Sequence, residues 1–376
     1  MQQSGGNGCG RSGRVIRSAE PTGRRTSVVT WRDLGLPRRE EIWRDLRGLR
    51  SGIQGPSSTD SQRRAVFVAS LEQAQQFVEA AIHAGPATRP VQLFYGLSQF
   101  GRAISAASSL TKATDWRLKG HGIGTKSLDA SRGLASVRVI PGANGSLPGV
   151  ARALGVKSFD AGKELTLGEL WPLIPETESV SLPGAEAVAA LSVSSAGLTT
   201  DGTERWARLQ LFPVKSEVRA KAEGDQAHLE GFLSRYPTLQ GWVRDDFPHA
   251  SAIDWEQEEG SPRERLHLFV PVEPTPSGGD EGRATMRARA TAYRGPNDLF
   301  LFPSVGTMAE PAHPLLVWWA VLFGLSILAR YEPEHWATII DIDESPDANA
   351  VEHVLEQAVE VVPHLALRAI QEVASP

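Results

Sequence analysis

Apolar positions along this chain recur at helical spacing at both ends and at strand spacing in the middle. In residues 31–50 they fall at Trp31, Leu34, Leu36, Ile42, Trp43, Leu46 and Leu49, and the spacing within 42–49 predicts an amphipathic helix. GIQGPSSTD, at 52–60, breaks it. Ser70-Leu71-Glu72 is the expected opening of a second helix, with Phe77, Val78, Ala81 and Ile82 as its stripe and Gly85-Pro86 as its stop. A third is expected over 90–112, where Leu93, Phe94, Leu97, Phe100, Ile104 and Ala107 recur at three- and four-residue steps. Gly96 and Gly101 lie between them and permit close helix–helix approach.

The pattern changes near Leu118. GHGIG, the short apolar run 135–140 and PGANGSLPG predict strands and turns. Residues 165–173 predict a short helix with Thr166 as N-cap and Glu169 three residues on, a capping box. Strands are expected at WARLQLFPV (206–214), LHLFVPV (266–272), ATMRARATAY (284–293) and 297–302, with the polar 273–282 stretch as a connecting loop. The alternation in ATMRARATAY puts Arg287 and Arg289 on one outward face, about 7 Å apart.

Helical spacing returns at the end, in 315–329, 334–340 and 350–373. The first of these, LLVWWAVLFGLSILA, has no charge and is apolar on every side, which predicts a helix buried all round. As a helix it spans about 22 Å, short of a hydrocarbon core of roughly 30 Å, so it reads as a core helix rather than a membrane span. Glu332-Pro333-Glu334 starts the next helix, with proline suited to a first helical position. The fold class expected is α+β: a bundle of N- and C-terminal helices with a β-rich central insertion. The divisions are a disordered tail at 1–28, a mainly helical part at 29–178, a β-rich insertion at 179–305 and a helical part at 306–376.

Composition narrows the picture only a little. The 376 residues are 41% hydrophobic, enough for a sizeable core, and the net charge of −5 supplies no global attraction to nucleic acid or an acidic membrane. The single cysteine, Cys9, lies in a Gly/Ser/Arg-rich N-terminus without an apolar signal core. This suits a reducing cytoplasm and excludes an intramolecular disulfide. No cofactor is implied. The acidic runs Asp245-Asp246 and 256–259 have no spaced ligand set, so no metal site is expected.

Four segments in order carry a family resemblance: Leu93-Phe94-Tyr95-Gly96-Leu97-Ser98; Gly120-His121-Gly122; Tyr293-Arg294-Gly295-Pro296 with Phe302-Pro303-Ser304; and Leu328-Ala329-Arg330-Tyr331-Glu332-Pro333-Glu334-His335-Trp336. Together they resemble the bacterial YaaC-like proteins over roughly residues 30–373. The resemblance implies an intracellular bacterial protein and a fold, and supplies no reaction.

Candidate chemistry gathers in two places. Arg330 and His335 have the spacing of the catalytic pair in HEPN-type ribonucleases, where a histidine acts as base on a ribose hydroxyl and an arginine steadies the phosphate without a metal. Such an enzyme would assemble at a homodimer seam. The structural alternative is that Arg330 caps its own helix and pairs with Glu332 or Glu334. The second place is WRLKGHGIG, where Arg117, Lys119, His121 and Lys126 surround glycines whose N–H groups suit an anion. Arg287 and Arg289 offer a third set of phosphate or acidic-partner contacts. Three functions follow: a scaffold binding a protein or RNA partner, a metal-independent ribonuclease, and a small-anion or nucleotide sensor.

Overall fold

The computed structural model describes residues 38–375, apart from 127, 129, 187, 202–203, 224, 242–252, 258–262 and 273–280. The expectations for the tail, for Trp31, Leu34 and Leu36, for Asp245-Asp246 and for most of the 273–282 loop lie outside these residues.

The N-terminal helices are α1 (Arg39–Gly52), α2 (Pro56–Thr59), α3 (Ser61–His83) and α4 (Arg89–Ala107). α3 starts nine residues before the expected opening, because Asp60 caps it: its Oδ1 accepts from the N–H groups of Gln62 (2.8 Å) and Arg63 (3.1 Å). α4 stops at Ala107, short of the expected Lys112. Buried Arg63 satisfies the carbonyls beyond that end, donating to Ser108 O (3.0 Å) and Thr111 O (2.6 Å). A β-carbon on Gly101 would stand 2.6 Å from the Trp319 ring, so that glycine is what lets Trp319 lie against α4.

A three-stranded antiparallel sheet follows, from β1 (Ile123–Gly124), β2 (Arg138–Pro141) and β3 (Leu165–Thr166), interrupted by α5 (Ser146–Leu154). α5 occupies part of the PGANGSLPG stretch expected to be a turn, with Pro148 in its first turn, where a proline needs no hydrogen-bonded N–H. α6 (Leu167–Leu170) carries the predicted capping box: Glu169 N donates to Thr166 Oγ1 (3.1 Å) and Thr166 N to Glu169 Oε2 (2.7 Å).

The larger antiparallel sheet is built from β4 (Leu191–Asp201), β5 (Glu204–Lys215), β6 (Ile253–Gln257), β7 (Arg263–Pro271), β8 (Thr291–Ala292) and β9 (Leu299–Leu301), in the order β6-β7-β5-β4-β9-β8. Between β5 and β6 come α7 (Ser216–Ala222) and α8 (Gln226–Ser234). The expected strand at 284–293 is corrected: α9 (Glu281–Arg287) covers its first half, and only β8 is extended. The apparent alternation there is of alanine, methionine and arginine, residues that favour helix, with no β-branched run to hold a strand. Arg287 and Arg289 therefore share no strand face.

The chain closes with α10 (Pro314–Tyr331), α11 (Pro333–Ile339) and α12 (Ala348–Ala374), and α4 packs against α3, α10 and α12. The protein is α+β, as expected. α10 is longer than its charge-free run and passes, by length and composition, as a membrane-crossing helix, but 78% of it is buried inside the fold. Val317, Trp318, Trp319, Leu322 and Leu325 are wholly inaccessible, the mark of a core helix. The buried apolar residues form two clusters, one among the helices and one on the larger sheet. β9 joins them, since Leu299 and Leu301 lie in the sheet cluster while Phe300 and Phe302 lie in the helical one.

Candidate functional site

Tyr95 and Arg102 sit seven residues apart on α4 and so share a face, with buried Ser98 between them. Arg330, in the last turn of α10, reaches this face. Its Nε donates to Ser326 O (3.1 Å), capping its own helix, and its Nη1 donates to the Tyr95 hydroxyl (3.1 Å). The guanidinium lies 5.6 Å from the Tyr95 ring centroid and 5.3 Å from that of Tyr331. His121 completes the group. Its imidazole packs edge-on to Phe94 (5.1 Å between centroids) and Tyr95 (6.2 Å), with Phe323 at 6.2 Å.

The loop holding His121 is fixed by its backbone. Gly120 and Gly122 have φ of 66° and 71°, and Gly145, facing them, has 111°. A β-carbon on Gly145 would come within 2.5 Å of Gly122 Cα, so both positions require glycine. Ser146 N donates to Gly120 O (3.2 Å) and Leu147 N to His121 O (3.0 Å). The loop's carbonyls thus cap the start of α5. The glycines serve this close approach and set the His121 ring, and those first N–H groups of α5 are already spoken for.

Two arginines and a histidine stand together here without an acid. Neither Arg102, His121 nor Arg330 has a carboxylate within ion-pair distance among the described residues, so the expected pairing of Arg330 with Glu332 or Glu334 is corrected. The Tyr95 hydroxyl takes that role. Arg102 Nε is buried with no hydrogen-bond partner. Burial holds the His121 imidazole below the usual histidine range, and the charges of Arg330 and Arg102 push it further down. Tyr95, Arg102, His121 and Arg330 are each half-buried, so the group is shielded yet reachable from solvent. Its chemistry suits an anion: basic groups gathered in a half-buried setting without a carboxylate among the described residues, with Arg102 Nε still to be satisfied.

The other residues singled out by sequence lie elsewhere. Arg117 stacks on Trp116 (4.8 Å) and donates to Gln62, and Lys126 pairs with Glu164 (3.1 Å) at the surface. Lys119 is exposed. Arg287 is tied to Asn297 (2.8 Å), and Arg289 donates to Gln240 O (2.9 Å), so both brace loops. His335 is half-buried on α11, and its ring makes no hydrogen bond or ring contact among the described residues. Sequence reasoning missed Arg102. The signal was present: an arginine seven residues after Tyr95, on the same helical face, and the one charged residue of α4 beyond its first turn.

A second buried cluster lies where the helices meet the larger sheet. Glu176 is 5% exposed; Tyr293 Oη donates to its Oε2 (2.9 Å), and Trp318 Nε1 donates to Tyr293 Oη (3.1 Å). Arg294 Nη1 stands 3.5 Å from Glu176 Oε1, while its Nε is held by Asp298 (2.6 Å). Burial drives the Glu176 carboxyl up to about 7, against a smaller opposing pull from Arg294. A cleft of about 190 Å³, lined also by His353 and Gln357, borders Glu176, whose carboxyl itself stays buried. No group of three or more His, Cys, Asp or Glu side chains is placed to hold a metal among the described residues.

The chain matches no curated protein and no solved structure. The family YaaC-like Protein matches residues 47–370, which include Tyr95, Arg102, His121, Glu176, Tyr293, Arg294 and Arg330. By that match over most of its length, this chain belongs to the YaaC-like protein family.

Proposed function

We propose that this protein binds a phosphate-bearing small molecule, its phosphate held by Arg102, His121 and Arg330, with Tyr95 aiming the last. The observation that carries this reading is the convergence of three basic side chains, from α4, the 120–122 loop and α10, with no acid among them and with Arg102 Nε unbonded. Half-buried basic groups gathered without an acid lose hydration and repel one another, a cost that a bound anion offsets. Bound phosphate supplies the missing acceptors.

The other readings have less behind them. For the Arg330–His335 ribonuclease, Arg330 is turned to Tyr95 and His121, and the His335 ring has no partner that would orient it as a base. For a scaffold, the exposed large apolar side chains among the described residues are Leu110, Leu198, Tyr331 and Ile342, from four separate parts of the chain.

Thermal unfolding with inorganic phosphate tests the proposal. Phosphate is expected to raise the melting temperature of the wild type. Arg102→Met is expected to melt at or above the wild-type temperature without phosphate and to lose the response. A wild type indifferent to phosphate, or an Arg102→Met protein that is destabilised yet still responds, would overturn it. RNA cleavage in metal-free buffer, lost in His335→Ala, would favour the ribonuclease instead.

A further inference from the structure

Beside the Arg330 guanidinium lies an aromatic ring that stays outside the core. Tyr331 follows Arg330 and is 65% exposed, although large aromatic rings usually contribute to a core. Its one described ring contact is the Arg330 guanidinium at 5.3 Å, and its hydroxyl has no hydrogen-bond partner among the described residues. An exposed tyrosine beside an arginine is a stacking platform for a flat π-system, and every nucleobase has such a face. Glu332 and Glu334 come next, exposed and without an ion pair among the described residues. Carboxylates accept hydrogen bonds from ribose hydroxyls, and they repel any phosphate beyond the one held by the three basic side chains.

We infer that the ligand is a nucleoside monophosphate: phosphate on Arg102, His121 and Arg330, base stacked on Tyr331, sugar hydroxyls toward Glu332 and Glu334. This rests on the phosphate reading above and adds the rest of the molecule to it. The two glutamates select against a nucleic-acid strand, whose next phosphate would meet them, and against di- and triphosphates for the same reason.

Calorimetric titration of the full chain with inorganic phosphate, ribose 5-phosphate, AMP, UMP and a single-stranded oligonucleotide separates the parts. AMP is expected to bind about tenfold tighter than ribose 5-phosphate. Tyr331→Ala should erase the difference between AMP and ribose 5-phosphate, and Tyr331→Trp should keep it. Since Tyr331 is at the surface, unchanged melting of both variants is the folding control. Equal binding of AMP and ribose 5-phosphate, or AMP binding unaffected in Tyr331→Ala, overturns the nucleotide inference while leaving the phosphate site standing. Oligonucleotide binding tighter than AMP overturns the mononucleotide assignment. No binding by any of these ligands removes the phosphate site itself.

Discussion

At the scale of single residues, the chain places titratable groups where burial makes ionisation expensive, and two titrations follow. His121 is held below the usual histidine range by burial and by two arginines. A bound anion counters all three effects, so anion binding and proton uptake favour each other. Sulfate is a suitable probe because its charge is constant over this range. Its affinity is expected to rise as pH falls from about 8 to about 5.5, and His121→Gln should flatten that dependence. A sulfate affinity that is level with pH in the wild type would remove His121 from the site. Glu176 runs in the opposite sense. Its folded value of about 7 lies above the ordinary 4.5, so between those values the folded chain holds a proton that the unfolded chain has released. Its contribution to stability is complete below about pH 4.5 and is lost as pH rises through 7, by on the order of 3 kcal/mol. Glu176→Gln keeps the neutral form at every pH. In urea unfolding it should match the wild type near pH 5 and exceed it near pH 8. Equal stability at both pH values would show that Glu176 ionises normally.

Among elements, α10 was the most legible in sequence, because a run apolar on every side has only the core or a membrane to occupy. Leu325, at 0% exposure, tests that placement: Leu325→Ala should cost about 2–5 kcal/mol, read as a lower denaturation midpoint. The capping box at Thr166 and Glu169 was legible too, since it depends on residues three apart. Elements set by distant partners were not. α3 begins at Ser61 because Asp60 caps it, yet Val66 and Val68 lower the helix propensity of its first half. α4 ends where Arg63 from another helix takes over its carbonyls. The helix α9 was hidden by a chance alternation. The site was half legible for the same reason. His121 and Arg330 could be named singly, but their meeting depends on α4 and α10 packing through Gly101. Arg102 has significance only once that packing is known.

In the whole molecule, β9 carries side chains that alternate between the helical core and the larger sheet; beside it the Glu176–Tyr293 network, Arg368 donating to Ala292 O and Tyr293 O, and the Arg263–Glu178 pair also tie the two together. Phe300 is buried in the helical cluster while its neighbours Leu299 and Leu301 anchor the sheet. Phe300→Ala is expected to cost about 3–5 kcal/mol and to split one calorimetric transition into two. A single transition in that variant would mean that the polar bridges from Arg368 and Arg263 suffice to keep the two cores cooperative without Phe300. The strand also decides how far a ligand is felt. Anchored in both layers, the sheet cannot open while the helices stay shut, so its slowest amides exchange with solvent only when everything unfolds together. A ligand on Arg102 and Arg330 should therefore slow deuterium uptake in β4 and β5, which it never touches, by the same factor as in α4. With Phe300 removed, that distant protection should vanish and the protection in α4 should remain.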